Sequence, residues 1–358
     1  MTNGFRLAGY IALALLCLAG AGCSGSPPVA TSSPAPTLTP LPCPAAFIPI
    51  GFWPDNDHLL GYQTAEGQSD ARLQVVAPET GETQTLLVYP LGPMIRMVWA
   101  FLTPDHSFVG IPMPDNSIQL FDLEEGRVLA TLAGHTDTIT AMAFSPADGR
   151  FYSGSMDRSV RIWNLSGQLL HSFKPDGADN YPSEIAGLGV SPDGAQLITI
   201  PIEGWIKVWA TGDLHKLGEY QGPIFGAYNG STVTFSPDGR FLAVGLAAGT
   251  GDVSLWRVAD GGLLWRGGVW SFAFSPDGQL FARTEIGTGD TFSEQVMLSS
   301  ADGQSDIRPL TDPYEVGITT MFFSPDSKRL ALTLSNAESQ VWDIDDAQLI
   351  STYVGSCR

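Results

Sequence analysis

The sequence predicts an all-β chain, a seven-bladed β-propeller with four antiparallel strands in each blade. Three observations carry that expectation. A Ser-Pro-Asp-Gly turn recurs, β-rich runs flank each copy, and no segment shows a persuasive 3.6-residue apolar period. The copies are Trp53-Pro54-Asp55-Asn56, Thr103-Pro104-Asp105-His106, Ser145-Pro146-Ala147-Asp148-Gly149, Ser191-Pro192-Asp193-Gly194, Ser236-Pro237-Asp238-Gly239, Ser275-Pro276-Asp277-Gly278 and Ser324-Pro325-Asp326-Ser327. They recur about every 45 residues, the period of a four-stranded propeller blade.

The turn itself has a physical reason. Proline presets φ at the first central position, aspartate bonds its own backbone, and glycine accepts positive φ. Each copy therefore ends one strand and starts its antiparallel neighbour, as between Ile139–Phe144 and the next strand, or ahead of Phe241–Val244. Each repeat then supplies a third strand, often with an aromatic near its end: Phe121, Trp163, Trp209, Trp256 and Trp342. A fourth follows a polar turn, as in Gln168–Phe173.

Gly (40) and Pro (26) are abundant among 358 residues, which suits many turns. The formal net charge of −19 repels polyanions, so no nucleic-acid partner is expected.

The N-terminus has a different character. Arg6 is the only charged side chain before Asp55, and an apolar run from Leu7 to Gly22 follows it. That run is short for a bilayer span, which needs about 20 residues, and has the shape of a secretory signal over residues 1–22. Ala21-Gly22-Cys23 resembles the lipobox of bacterial lipoproteins, although Gly20 stands where leucine is usual. That resemblance implies an acylated Cys23 and a chain anchored by lipid to the outer face of a bacterial cell membrane. Simple cleavage to a secreted or periplasmic form is the alternative. Residues 23–45, rich in Pro, Ser and Thr, read as an extended tether, leaving 46–356 for the propeller. Cys43 and Cys357 flank that region and are expected to form a disulfide there.

The third repeat carries the most specific signature. Gly134-His135 precedes the strand and turn, and Tyr152-Ser153-Gly154-Ser155-Met156-Asp157 leads on to Ile162-Trp163-Asn164. This resembles a WD40 repeat, with Trp-Asn for Trp-Asp; Trp342-Asp343 has the literal pair. The resemblance implies a hydrogen-bonded chain of His135, Ser153, Asp157 and Trp163 within one blade. Other repeats keep parts of it: Thr199, Glu203 and Trp209 in the fourth, Asp115 before Phe121 in the second. The sixth has no aromatic at that place and a longer polar hairpin over 287–294. Most such propellers close by sharing one blade between the termini. Here the first strand reads as innermost and the last as outermost, which leaves no blade to share.

Little points to catalysis. The histidines show no metal-ligand spacing, no Gly-x-Ser-x-Gly elbow occurs, and the repeated aspartates read as turn formers. No cofactor or metal is expected. In this family partners commonly dock on the face bearing the turns between second and third strands. The residues before the turn acid there are Pro114, Met156 and Ile202, with Trp205 two residues past Glu203. Together they form a candidate partner patch. The expected function is a non-enzymatic, extracytoplasmic scaffold for protein or peptide partners. Two alternatives are a small-molecule, cofactor-binding or hydrolytic propeller acting at its central channel, and an envelope-complex component similar to the Tol-system propeller.

Overall fold

A computed structural model describes residues 46–64, 70–90, 100–175, 183–202, 205–221, 231–245, 252–268, 271–286 and 293–354, with no helix among them. Twenty-eight strands, β1–β28 in chain order, pair as seven four-stranded antiparallel sheets, each built from four consecutive strands. The blades span residues 46–90, 101–132, 139–173, 185–221, 232–268, 272–309 and 318–354. The chain is a seven-bladed β-propeller. Cys23, Cys43 and Cys357, the signal over 1–22 and the tether over 23–45 lie outside the described residues.

First strands of successive blades touch one another around the axis. β1 (Ala46–Phe52) meets β5 (Phe101–Leu102) on one side and β25 (Ile318–Phe323) on the other. β13 (Ile185–Val190) sits between β9 (Ile139–Ser145) and β17 (Thr232–Phe235). Burial follows this order. Every residue of β9 is buried, whereas β12 (Leu169–Phe173), the fourth strand of the same blade, is almost wholly exposed.

Crowding at the axis explains a glycine in β13. A Cβ on Gly189 would lie 2.6 Å from a methyl of Val233 in β17, closer than carbon atoms approach. Replacing Gly189 with valine should cost about 1–3 kcal/mol of overpacking. Urea unfolding measures this; an unchanged midpoint would mean that blades four and five are not spaced at this contact.

The Ser-Pro-Asp-Gly turns close on themselves. In blade four, Ser191 Oγ donates to Asp193 Oδ1 at 2.5 Å and accepts the Gln196 N–H at 2.9 Å. Asp193 Oδ1 also accepts the Ala195 N–H, and Gly194 sits at φ 71°. Ser236, Ser275 and Ser324 make the same serine–aspartate bond in their own turns.

Among the described residues no blade is shared at the ring closure. β28 (Gln348–Val354) pairs only with β27 (Glu338–Asp343), and β1 only with the strand after it. Apolar side chains fill the seam instead: Phe47, Phe52, Leu59 and Val76 of blade one pack with Ala331, Val341 and Tyr353 of blade seven. Phe47 and Tyr353 meet edge to face with centroids 5.6 Å apart.

Candidate partner-binding face

Strands alternate in direction and each blade has the same order, so all turns between second and third strands emerge on one face. On that face blade two presents Pro114, exposed beside Asp115. Blade three presents Met156, half-buried just after β10 (Arg150–Ser155). Blade four presents Ile202, half-buried just after β14 (Gln196–Pro201), and Trp205, exposed at the start of β15 (Trp205–Ala210). Glu203 lies outside the described residues.

The backbone holds these turns firmly. The Met156 N–H donates to Thr138 O at 2.9 Å, and the Ile202 N–H donates to Glu184 O at 3.0 Å. Both bonds tie the turn to the loop entering the same blade. Among the described residues, none of the four side chains belongs to an apolar core cluster. Pro114, Met156 and Ile202 stand at matching positions on three successive blades, and Trp205 follows three residues after Ile202.

Beneath Met156 the structure brings His135, Ser153, Asp157 and Trp163 together. The Trp163 indole N–H donates to Ser153 Oγ at 2.9 Å, and Ser153 Oγ lies 2.8 Å from His135 Nε2. His135 Nδ1 lies 2.8 Å from Asp157 Oδ2. One proton assignment satisfies every group: serine donates to Nε2, and the histidine Nδ1–H donates to the carboxylate. Asp157 further accepts the Thr136 N–H, the Ser159 N–H and the Ser159 hydroxyl. Burial acts to raise the Asp157 pKa, but the Ser159 hydroxyl, the Thr136 N–H and His135 outweigh it and hold it at about 2. Burial also pushes the His135 pKa down, against the pull of Asp157, so the imidazole is neutral beside an ionised carboxylate.

Strand register explains the spacing of this motif. β10 pairs with β11 (Val160–Asn164) so that Phe151 faces Trp163 and Ser153 faces Arg161. Ser153 is then the diagonal neighbour that the indole can reach. In blade four the same register puts Trp209 Nε1 2.9 Å from Thr199 Oγ1.

Blades five and seven find the indole acceptor elsewhere. Trp256 donates to Ser254 Oγ at 2.8 Å, two residues back on its own strand. Trp342 donates to Gln340 Oε1, which also accepts the Tyr314 hydroxyl at 2.6 Å. Gln340 in turn donates to Glu338 Oε1. Sequence reading missed Ser254, Tyr314 and Gln340; the usable signal was a polar residue two places before tryptophan. Blade six departs further, for Glu294, expected at the end of a polar hairpin, is buried. Its Oε2 accepts the Ile318 N–H of blade seven at 2.7 Å, while burial pushes its pKa up.

The repeated turn aspartates spend their oxygens inside their own turns. The Ser191 hydroxyl and Ala195 N–H lower the Asp193 pKa, and Ser300 with Gln304 do the same for Asp302. Among the described residues no group of three His, Cys, Asp or Glu side chains could hold a metal ion.

Residues 126–164 match the family model described as WD domain, G-beta repeat. Those residues contain β8 to β11 and all four members of the hydrogen-bonded chain, His135, Ser153, Asp157 and Trp163. Pre-mRNA-processing factor 19 of Oryza sativa subsp. japonica is 28% identical over 40% of this chain and 27% of its own length. WD repeat-containing protein 36 of Homo sapiens is 34% identical over 32% of this chain and 12% of its own. Periodic tryptophan protein 2 of Arabidopsis thaliana is 24% identical over 76% of this chain and 31% of its own. This chain thus spans less than a third of the length of these relatives.

These likenesses correct the expected placement on the outer face of a bacterial membrane. The relatives are eukaryotic proteins, one named for pre-mRNA processing, and none carries the name of an exported lipoprotein. The residues behind that expectation were physically weak: an apolar run thinned by glycine, with Gly20 where a lipobox has leucine. No described helix is long and apolar enough to cross a membrane. The chain is thus a seven-bladed β-propeller in which residues 126–164 match a WD repeat.

Proposed function

We propose that this propeller is a non-enzymatic scaffold that holds a protein or peptide partner on the face bearing the second-to-third turns of blades two to four. The carrying observation is that Pro114, Met156 and Ile202 lie outside the core at equivalent places on adjacent blades, with the exposed Trp205 beside them in sequence. Apolar anchors on a rigid support are what a binding face needs, because little conformational entropy is lost on docking. The polar groups nearby are already occupied. His135 and Asp157 bond each other and their own blade, which leaves them unsuited to acid–base work on a substrate. The WD repeat match and the likeness to WD repeat-containing protein 36 support the same reading.

A pull-down comparing three forms tests the assignment. Met156→Asp/Ile202→Asp should weaken capture of the wild-type partner by roughly tenfold or more. Leu263→Asp, on the exposed outermost strand of blade five, should leave it unchanged. Equal recovery with both variants would move the partner off this face.

A further inference from the structure

The fourth position of the first-to-second turn has left-handed backbone in all seven blades: Asn56, His106, Gly149, Gly194, Gly239, Gly278 and Ser327, with φ between 57° and 71°. Glycine is the residue this conformation favours. Four blades have it. Blades one, two and seven use a side chain instead, and each of the three bonds to the preceding blade's backbone.

In blades four and five the position faces the preceding blade, while a Cβ on Gly278 would meet nothing within 4 Å and one on Gly149 would meet Leu165 of its own blade. In blade four a Cβ on Gly194 would lie 2.8 Å from Ser145 Oγ, and in blade five one on Gly239 would lie 3.5 Å from Pro192. Both neighbours belong to the turn of the blade before. Where a side chain replaces glycine, it bonds across that same gap. Ser327 Oγ of blade seven accepts the Asp277 N–H of blade six at 3.0 Å. Asn56 Oδ1 of blade one accepts the Asp326 N–H of blade seven at 3.0 Å. His106 Nδ1 of blade two donates to Phe52 O of blade one at 2.9 Å.

These three joints are consecutive, six to seven, seven to one and one to two, and they straddle the seam that no strand bridges. Arg329 of blade seven adds a bond to Asn56 O at 2.9 Å and an ion pair with Asp57. We infer that Ser327, Asn56 and His106 form a polar latch that closes the ring in place of a shared blade. Asn56 acts at the seam itself, and Ser327 and His106 brace the joints on either side of it; at the other four joints the position is glycine.

Glycine substitution separates the latch from a purely local turn effect, because the two predict opposite signs. At a left-handed position glycine relieves the backbone, so a side chain that does nothing else should be replaced at no loss. Ala337, at φ 64° in another turn of blade seven, serves as the control. Asn56→Gly, Ser327→Gly and Ala337→Gly in the full chain are compared by urea unfolding and native-state amide exchange. Ala337→Gly should hold or raise the midpoint. Asn56→Gly and Ser327→Gly should lower it and speed exchange at Asp326 and Asp277 respectively by roughly fivefold, the worth of one net hydrogen bond. Ser327→Asn, which keeps an acceptor and tolerates the left-handed region, should retain slow exchange at Asp277. The latch is overturned if both glycine variants behave like Ala337→Gly, or if Ser327→Asn exchanges as fast as Ser327→Gly.

Discussion

Truncating Trp163 to alanine lowers the unfolding free energy by about 3–5 kcal/mol, the range for removing a buried large aromatic. Trp163 is 1% exposed and packs with Ile118, Leu120, Phe144 and Phe151, so its ring glues blades two and three together. Its loss opens a cavity and also strips Ser153 Oγ of a donor inside an apolar blade. Trp163→Phe separates the two effects, since it refills much of the space and leaves only the hydrogen bond unmade. Its cost should fall to about 1–3 kcal/mol. Urea denaturation reads both, and equal losses for the two variants would show that packing contributes nothing here.

Asp157→Ala should be comparably severe, about 3–4 kcal/mol, because one carboxylate satisfies His135, Thr136 and Ser159 at once. The pH dependence has a definite sign. Asp157 is held at about 2 in the fold against 3.8 ordinarily, so its contribution is complete above 3.8 and fades as pH falls toward 2. His135 is also shifted down from 6.5, so the unfolded chain binds its proton first and stability declines as pH drops below 6.5. Both groups therefore penalise acid. Thermal midpoints taken from pH 7 to pH 3 should fall steadily in the wild-type chain and less steeply in Asp157→Ala. Parallel curves would mean that the Asp157 carboxyl is not shifted by the fold.

The blades were legible because each carries its own turn chemistry, and seven imperfect copies sum to a strong signal. Pro54, Pro104 and Pro325 announced their turns even though Asn56, His106 and Ser327 replaced the glycine. The hydrogen-bonded chain of blade three was visible as a pattern, since antiparallel register converts a spacing of ten residues into a diagonal contact between Ser153 and Trp163. Blades five and seven broke that arithmetic. Their tryptophans bond Ser254 and Gln340 on the same strand, and Tyr314 comes from the loop before the blade, a pairing that only the fold creates. Likewise Glu294 looks like a solvated loop acid, and its burial against Ile318 depends on blade seven lying beside blade six. The proposed partner face rests on position alone. What side chains such as Trp205 bind is a matter of the partner's chemistry, which no intrachain pattern encodes.

Because each sheet is built from four consecutive strands, every described blade is one continuous stretch of chain. In propellers whose first and last segments complete one another, copying a repeat produces a sheet whose members come from two units. Here each unit is whole, from the strand at the axis to the strand at the rim. Duplication of one unit would therefore lengthen the circle by a finished sheet and leave no orphaned edge. The arrangement suits growth by gene-segment copying, and divergence is then confined to side chains at the joints between units.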